Sequence, residues 1–377
     1  MSRTPKVHIP ITIPFMPPYK EYESYLQQIW SQKWLTNNGP LVQKLEIKLQ
    51  EFLGLDHLLF VTNGTIALQM AIKTAQLSGE VITTPFSYIA TTSSLLWENL
   101  DPVFVDIEDE RLSIDPAKIE KAITAKTSGI VATHVYGIPG FVEEIEAVAK
   151  KHNLIVIYDG AHAFGTTYKS ESVFHFGDIS TISFHATKLF HTIEGGAVIT
   201  SRPGWQKTLY HQRNFGHDGP GKFYNVGING KNSEFHAAMG LVNLNYIDTI
   251  IAERKRLFHL YEKHLSDFPI SLIKIPEEVG YNYAYIPILF STVHALKSTI
   301  QQLERNGVMP RRYFFPALHR LSFFKQKKLP VAESIAQRIL CLPLYMGLEE
   351  ENIQYIANIF ALSLNYKFPE LPRSTSI

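Results

Sequence analysis

From about Lys44 onward, short apolar runs rich in β-branched residues alternate with longer stretches whose apolar positions recur every three or four residues. Leu58–Val61, Glu80–Thr83, Val103–Asp106, Gly129–Thr133 and Leu154–Asp159 predict buried strands, and Ile179–Phe184 and Gly196–Thr200 add two more. Between the first five, Thr65–Ala75, Tyr88–Glu98, Pro116–Ala125 and Phe141–His152 predict helices. Such alternation with short connections implies an α/β fold with a mostly parallel sheet covered by helices on both faces. After Lys231 the pattern changes. Ser233–Ile247 and Asp248–Leu265 predict long helices, followed by shorter strands such as Tyr283–Phe290, a helix over Val293–Asn306 and a last helix over Glu349–Leu362. Two units are expected: residues 1–248, an N-terminal arm with a large domain, and residues 249–377, a smaller C-terminal α+β domain. The proline-rich first 40 residues predict an arm rather than a folded unit, and the tail beyond Tyr366 a frayed end.

Composition changes this picture little, but it removes some functions. The 377 residues are 45% hydrophobic and 19% charged, enough apolar material for a sizeable core. With 36 basic and 35 acidic residues the formal net charge is +1, so no global field draws in nucleic acid or an anionic membrane. The single cysteine, Cys341, cannot form an internal disulfide, and its apolar setting predicts a buried, inert thiol. The N-terminus lacks the layout of a signal peptide and no apolar run is long enough to span a bilayer, which makes a soluble cytoplasmic protein the expectation. The 15 histidines, among them His134, His162, His175, His185, His191, His211 and His217, show no zinc-type spacing, so no metal is expected.

In α/β sheets ligands bind beyond the carboxyl ends of the strands, which directs attention to the residues after each predicted strand. Thr62-Asn63-Gly64-Thr65 opens a helix, and free N–H groups there with the Thr65 hydroxyl make an anion pocket; alone, the same residues read as an ordinary helix cap. Asp159 ends a buried strand and is followed by Gly160-Ala161-His162, placed to meet a cationic ring nitrogen or to cap a turn. Lys188 lies among apolar and small residues ahead of Glu194-Gly195-Gly196, where desolvation would lower its pKa and make it a nucleophile. Together with the aromatic Tyr88 after another strand, these groups meet the four demands of pyridoxal 5'-phosphate: a phosphate site, a stacking face, a partner for the pyridinium nitrogen and a Schiff-base amine.

The chain resembles the DegT-type sugar aminotransferases over most of its length. The resemblance rests on Trp34 to Pro40, Asn63 to Leu68, Thr84 to Thr91, Asp159 to His162, Ser183 to Lys188 with Glu194 to Gly196, and Gly227 to Lys231 with Ser233 to Phe235. It implies the aspartate aminotransferase fold type I and a homodimer with active sites at the subunit interface. It further implies that Gly64, Thr65 and Ser183 hold the cofactor phosphate, Tyr88 stacks on the ring, Asp159 pairs with the ring nitrogen and Lys188 carries the cofactor. Asn229 would reach the phosphate from the other subunit. His162 stands where the family often has Gln, and an imidazole can donate the same hydrogen bond to the phenolic oxygen. Lys231 stands near a position often occupied by Arg and keeps the charge without the bidentate geometry. His185, Lys231 and Tyr313 are the candidate substrate contacts, Tyr313 following Arg311-Arg312, although plain packing explains the latter stretch equally well.

The sub-pattern is most similar to members acting at C4 of dTDP-4-keto-6-deoxyglucose. The expectation is therefore transfer of an amino group from L-glutamate to a nucleotide-linked keto-sugar, serving deoxyaminosugars of surface polysaccharide such as lipopolysaccharide O-antigen. Amination at C3 of a related dTDP-keto-sugar is the neighbouring alternative, and a non-enzymatic pyridoxal-phosphate-binding regulator is one of another class. A related class that dehydrates deoxysugars carries a histidine where this chain has Lys188, which argues against it.

Overall fold

The computed structural model describes residues 8–324 and 327–364. In chain order these form α1 (Tyr19–Gln32), α2 (Pro40–Leu53), β1 (Leu58–Val61), α3 (Gly64–Thr74), β2 (Glu80–Thr83), α4 (Ile89–Trp97), β3 (Asp101–Phe104), α5 (Pro116–Ala122), β4 (Thr127–Thr133), α6 (Val142–His152) and β5 (Ile155–Asp159). There follow β6 (Thr167–Tyr168), β7 (Glu171–Ser172), β8 (Ile179–Ser183), β9 (Gly196–Ile199), α7 (Trp205–Gln212), α8 (Glu234–Leu244) and α9 (Ile247–Leu265). The C-terminal part holds β10 (Ile270–Leu272), β11 (Val279–Gly280), β12 (Pro287–Phe290), α10 (Val293–Arg305), α11 (Pro330–Arg338), β13 (Ile339–Cys341) and α12 (Glu350–Ser363).

Seven strands build the main sheet in the order β1-β9-β8-β5-β4-β2-β3. Neighbours β3, β2, β4, β5 and β8 are parallel, and β9 runs antiparallel to both β8 and β1. Alternation along each strand divides two cores between the faces. Ile82, Ile130 and Val156 enter one that continues through Leu257, Phe258, Ile288 and Phe360 of the C-terminal elements. Val81, Val131 and Ile157 point the other way, onto Ala67, Met70 and Ala71 of α3. A mixed, mostly parallel sheet between helices is the predicted class, and β10-β12-β13 form a smaller antiparallel sheet in the C-terminal part. The predicted junction at Asp248 falls in the first turn of α9, whose Leu257, Phe258, Tyr261 and Leu265 belong to the core that runs on into the main sheet.

Three stretches differ from expectation, each for a physical reason. The sheet's edge strand begins at Asp101, two residues before the predicted Val103, because Pro102 lies on β3, an edge strand, where a missing N–H is tolerated. The predicted strand over Tyr283–Phe290 is confined to Pro287–Phe290; Tyr283 adopts a left-handed φ of 53°, which breaks the extended run. The predicted arm is partly helical. Tyr22, Tyr25, Leu26 and Ile29 recur at helical spacing on α1 and pack into the core that includes Ala237, Ala238 and Leu241 of α8. The expected frayed tail beyond Tyr366 lies outside the described residues.

The segment from Trp34 to Pro40 is held by α8. Its N-terminal Glu234, buried, accepts hydrogen bonds from the N–H groups of Leu41 (2.8 Å) and Val42 (3.0 Å), and so caps α2 in place of the side chain that Gly39 lacks. A Cβ on Gly39 would lie 2.6 Å from the Glu234 carboxyl carbon. Glu234→Ala is expected to destabilise the fold by about 2–4 kcal/mol, since two charge-assisted bonds and a helix cap go together. Denaturant unfolding followed by circular dichroism tests this, and an unshifted midpoint would refute it. Among the described residues no helix is long and apolar enough to cross a membrane.

Candidate active site

The carboxyl ends of β1, β2, β4, β5 and β8 open on one edge of the sheet, and a cavity of about 760 Å³ lies there. Gly64, Thr65, Tyr88, Asp159, His162, Ser183, His185, Lys188 and Tyr313 all line it, so the fold brings together nine of the sequence-predicted site residues from distant parts of the chain.

At one end α3 begins. The Asn63 side chain accepts from Ile66 N–H (2.9 Å), which leaves the Gly64 and Thr65 amides without a carbonyl partner inside the helix. Ser183, the last residue of β8, closes this corner. A Cβ on Gly64 would stand 2.9 Å from the Ser183 Cβ, and one on Gly196 would stand 2.5 Å from the Asn63 carbonyl carbon. Glycine at both positions lets β1, β8 and β9 approach closely enough for amides and hydroxyl to converge. Such a corner binds an anion.

Across the sheet, Asp159 ends β5 with its carboxylate buried. Oδ1 accepts from Ala161 N–H (3.1 Å) and Oδ2 from the Thr91 hydroxyl (2.6 Å). Tyr88, the residue preceding α4, keeps 55% of its surface exposed and lines the cavity. Lys188 follows β8 in a loop pinned by Phe184 N–H to Gly195 O (2.7 Å), Thr192 N–H to Phe184 O (3.0 Å) and Lys188 N–H to His185 O (2.8 Å). Its stem is half-buried along the wall, and desolvation of the amine lowers its pKa to about 8, opposed by the charge of Asp159. At pH 7 roughly a tenth of this amine is then a free nucleophile, hundreds of times the fraction in an ordinary lysine.

His162 is buried with its ring stacked on Phe314 (5.6 Å between centroids, 8° between planes) and tilted against Tyr285 (4.6 Å). Burial, aided by the Lys188 charge, holds its pKa well below the ordinary value, so the ring is neutral. Its Nδ1 has no hydrogen-bond partner, although its own carbonyl accepts from Asn282 Nδ2 (2.8 Å).

The rim is polar. His185 Nε2 is 3.7 Å from Glu194 Oε1, and Arg311 lies over the Tyr313 ring at 5.2 Å. Asn229 and Lys231, by contrast, do not line this cavity. Lys231 Nζ donates to Asn229 Oδ1 (2.8 Å) and lies over Phe215, beside a second cavity of about 860 Å³ that Asn37, Asn38 and Arg213 also line. Ser87, Thr91, Glu194, Asn232, His236 and Arg311 line or brace the site without having been assigned a role from sequence. Ser87 and Thr91 fall inside the segment Thr84–Thr91, but an uncharged hydroxyl gives no signal until the strands beside it are placed.

The buried amine also sets a pH dependence of stability. The folded pKa of Lys188 is about 8 against 10.5 for a free lysine, so the penalty for burying its charge is complete below pH 8 and fades as pH rises towards 10.5. Relative to Lys188→Met, the cofactor-free wild type should therefore be least stable below pH 8 and recover above it. Melting curves of the two proteins across this range test the sign; a difference independent of pH would contradict it.

Comparison with known proteins agrees with this geometry. The profile of the DegT/DnrJ/EryC1/StrS aminotransferase family matches residues 19–361. The chain is 39% identical over 365 residues to a dTDP-4-amino-4,6-dideoxy-D-glucose transaminase of Escherichia coli, covering 93% of this chain and 97% of the relative. It is 40% identical over 356 residues to the protein of that name from Shigella dysenteriae, with 92% and 97% covered. Among solved structures it is similar to DesI in the presence of its TDP-sugar product, with a TM-score of 0.90, 30% identity and coverage of 96% of this chain and 94% of DesI. The chain therefore belongs to the DegT/DnrJ/EryC1/StrS aminotransferase family.

Proposed function

We propose that the protein transfers an amino group from L-glutamate to C4 of dTDP-4-keto-6-deoxyglucose, with pyridoxal 5'-phosphate as cofactor and Lys188 as the catalytic base. The observation that carries this reading is a desolvated lysine amine sharing one cavity with a buried carboxylate, Asp159, and with an amide-lined helix start. The residues fit the cofactor. Gly64, Thr65 and Ser183 would take its phosphate, in a corner that a Cβ on Gly64 would fill. Tyr88 would cover the ring, Asp159 would face the ring nitrogen, and the unpartnered Nδ1 of His162 lies in the same cavity as Lys188.

When bound, the cofactor supplies an electron sink that makes the hydrogen on the donor's α-carbon acidic. The chain's own groups do the rest. Asp159, acceptor-only and held by Thr91 and Ala161, keeps a cationic ring nitrogen protonated. The Lys188 amine, once released, takes the proton from the α-carbon and returns it one position away, which its pKa of about 8 suits. Departure of the 2-oxo acid and the same steps in reverse on the keto-sugar give ping-pong kinetics. The names of the relatives near 40% identity support amination at C4 over C3.

The assembly proposed is a homodimer in the cytoplasm. Asn229 and Lys231 lie outside the Lys188 cavity of their own chain, on a surface that exposes Phe215, Phe223 and Tyr224. A second copy would cover those rings and bring the partner subunit's Asn229 towards the phosphate.

The test is an absorbance spectrum of the purified protein with pyridoxal phosphate, before and after L-glutamate and then the keto-sugar. A band that shifts with glutamate and returns with dTDP-4-keto-6-deoxyglucose is the expected result. A shift that only a 3-keto isomer reverses would move the reaction to C3. Absence of any cofactor band would overturn the reading.

A further inference from the structure

Behind Asp159 the hydroxyls of three residues form a chain whose proton order follows from chemistry alone. Thr91 Oγ1, on α4, is 2.6 Å from Asp159 Oδ2. Ser87 Oγ, in the loop after β2, is 2.7 Å from Thr91 Oγ1. Thr133 Oγ1, at the end of β4, is 3.0 Å from Ser87 Oγ. All four residues are at most 5% exposed.

A carboxylate can only accept, so the single proton of Thr91 goes to Asp159. Thr91 then has nothing left to donate and must accept from Ser87. The Ser87 proton is thereby used, and Ser87 must in turn accept from Thr133. Three O–H dipoles therefore point the same way, towards Oδ2, and each strengthens the next in a setting of low dielectric. This order exists only with Asp159 as an anion, because an acid proton on Oδ2 would reverse every bond. The strand register supports it from the other side: Thr133 on β4 pairs directly with Asp159 on β5.

We infer that Thr91, Ser87 and Thr133 are positioning residues, a one-way hydroxyl relay that fixes Asp159 as an oriented carboxylate for the cofactor's ring nitrogen. The inference rests on the reading of this cavity as a pyridoxal phosphate site and deepens it. It also ties two contacts together. Ser87 immediately precedes Tyr88, so the relay that orients the carboxylate also anchors the loop carrying the exposed ring. Thr91 does not line the cavity, whereas Ser87 and Thr133 form part of its wall; the role assigned to all three is exerted through Asp159.

The test uses Thr91→Val, Thr91→Ser, Ser87→Ala, Thr133→Val and the Thr91→Val/Thr133→Val double variant, each reconstituted with pyridoxal phosphate. Two quantities are read: the pH titration of the bound cofactor's absorbance, without any substrate, and the single-turnover rate of the first half-reaction with L-glutamate. Thr91→Val preserves shape and removes one bond to a charge, so its rate should fall roughly 10- to 100-fold. Its spectral titration should move away from that of the wild type. Thr91→Ser keeps the hydroxyl and should restore both. Ser87→Ala and Thr133→Val should show the same changes in decreasing size, and Thr133→Val should add nothing once Thr91 is Val, because the relay is already cut.

Wild-type titration and rate in Thr91→Val would overturn the relay while leaving the aminotransferase reading intact. So would full additivity in the double variant. If Thr91→Val does not fold by circular dichroism, Ser87→Ala and Thr133→Val decide the matter, since wild-type behaviour in both would overturn it. Failure of the wild type itself to take up pyridoxal phosphate would overturn both the relay and the reading on which it stands.

Discussion

Lys188→Ala is expected to reduce turnover by at least roughly 10²–10⁴-fold, the contribution of a positioned acid–base group, and further because the same change removes the amine that would hold the cofactor. The site makes this loss hard to compensate. Among the described residues no ion pair involves Lys188, and its desolvated amine is the lysine amine lining the cavity. His162 lines the same cavity, but burial holds its pKa well below the ordinary value, which makes it a weak base, and its ring is stacked on Phe314 and tilted against Tyr285. Lys188→Arg should fail as completely, because a guanidinium keeps the charge but cannot give up a proton near neutrality. Pyridoxal phosphate should still associate through the Gly64–Thr65–Ser183 corner, although reversibly. The decisive measurement is single-turnover consumption of L-glutamate by wild type and Lys188→Ala at saturating cofactor. A variant within tenfold of wild type would remove Lys188 from the chemistry.

What the sequence revealed and what it hid divide along physical lines. The strands β2, β4, β5, β8 and β9 were legible because central strands of a mostly parallel sheet are buried on both faces and so read as unbroken apolar, β-branched runs. The edge strand was harder, since Pro102 argues locally against the pairing that the edge position permits. α1 was obscured by the prolines before it, and its apolar stripe has meaning only against α8, more than 200 residues away in the chain. In the site, the residues with distinctive chemistry, Lys188, Asp159 and the Gly64 turn, stood out because desolvation, charge and tight turns leave marks in composition. The buried hydroxyls did not. Thr91, Ser87 and Thr133 become a unit only through the register that sets Thr133 beside Asp159 and the turn that brings α4 over both. The brace behind His162 was equally silent: Asn282 donates to the carbonyls of His162 (2.8 Å) and Phe164 (2.9 Å) from just before the stretch that sequence pattern assigned to a strand.

Asp159→Asn is expected to leave the protein folded and able to take up pyridoxal phosphate, yet to slow proton abstraction roughly 10²–10³-fold, the scale of losing one preorganised electrostatic partner. The hydrogen bonds explain why fold and rate should separate. Oδ1 of Asp159 accepts from Ala161 N–H, so the amide oxygen of an asparagine must take that place and its NH₂ must face Thr91. Thr91 can then accept and donate onward to Ser87, and Ser87 to Thr133, which lines the cavity and can turn its own proton there. The relay reverses without stranding a buried hydroxyl, and the melting temperature should hardly move. The charge and the acceptor at the Oδ2 position are what is lost. An NH₂ group has no lone pair for a protonated ring nitrogen, so the electron sink on which Lys188 depends is weakened. Combining Asp159→Asn with Thr91→Val should therefore cost little more in rate than Asp159→Asn alone, because Thr91 acts only through the carboxylate. Stopped-flow absorbance with L-glutamate measures both. Asp159→Asn at wild-type rate would take this carboxylate out of the mechanism, and an additive double variant would give Thr91 a role of its own.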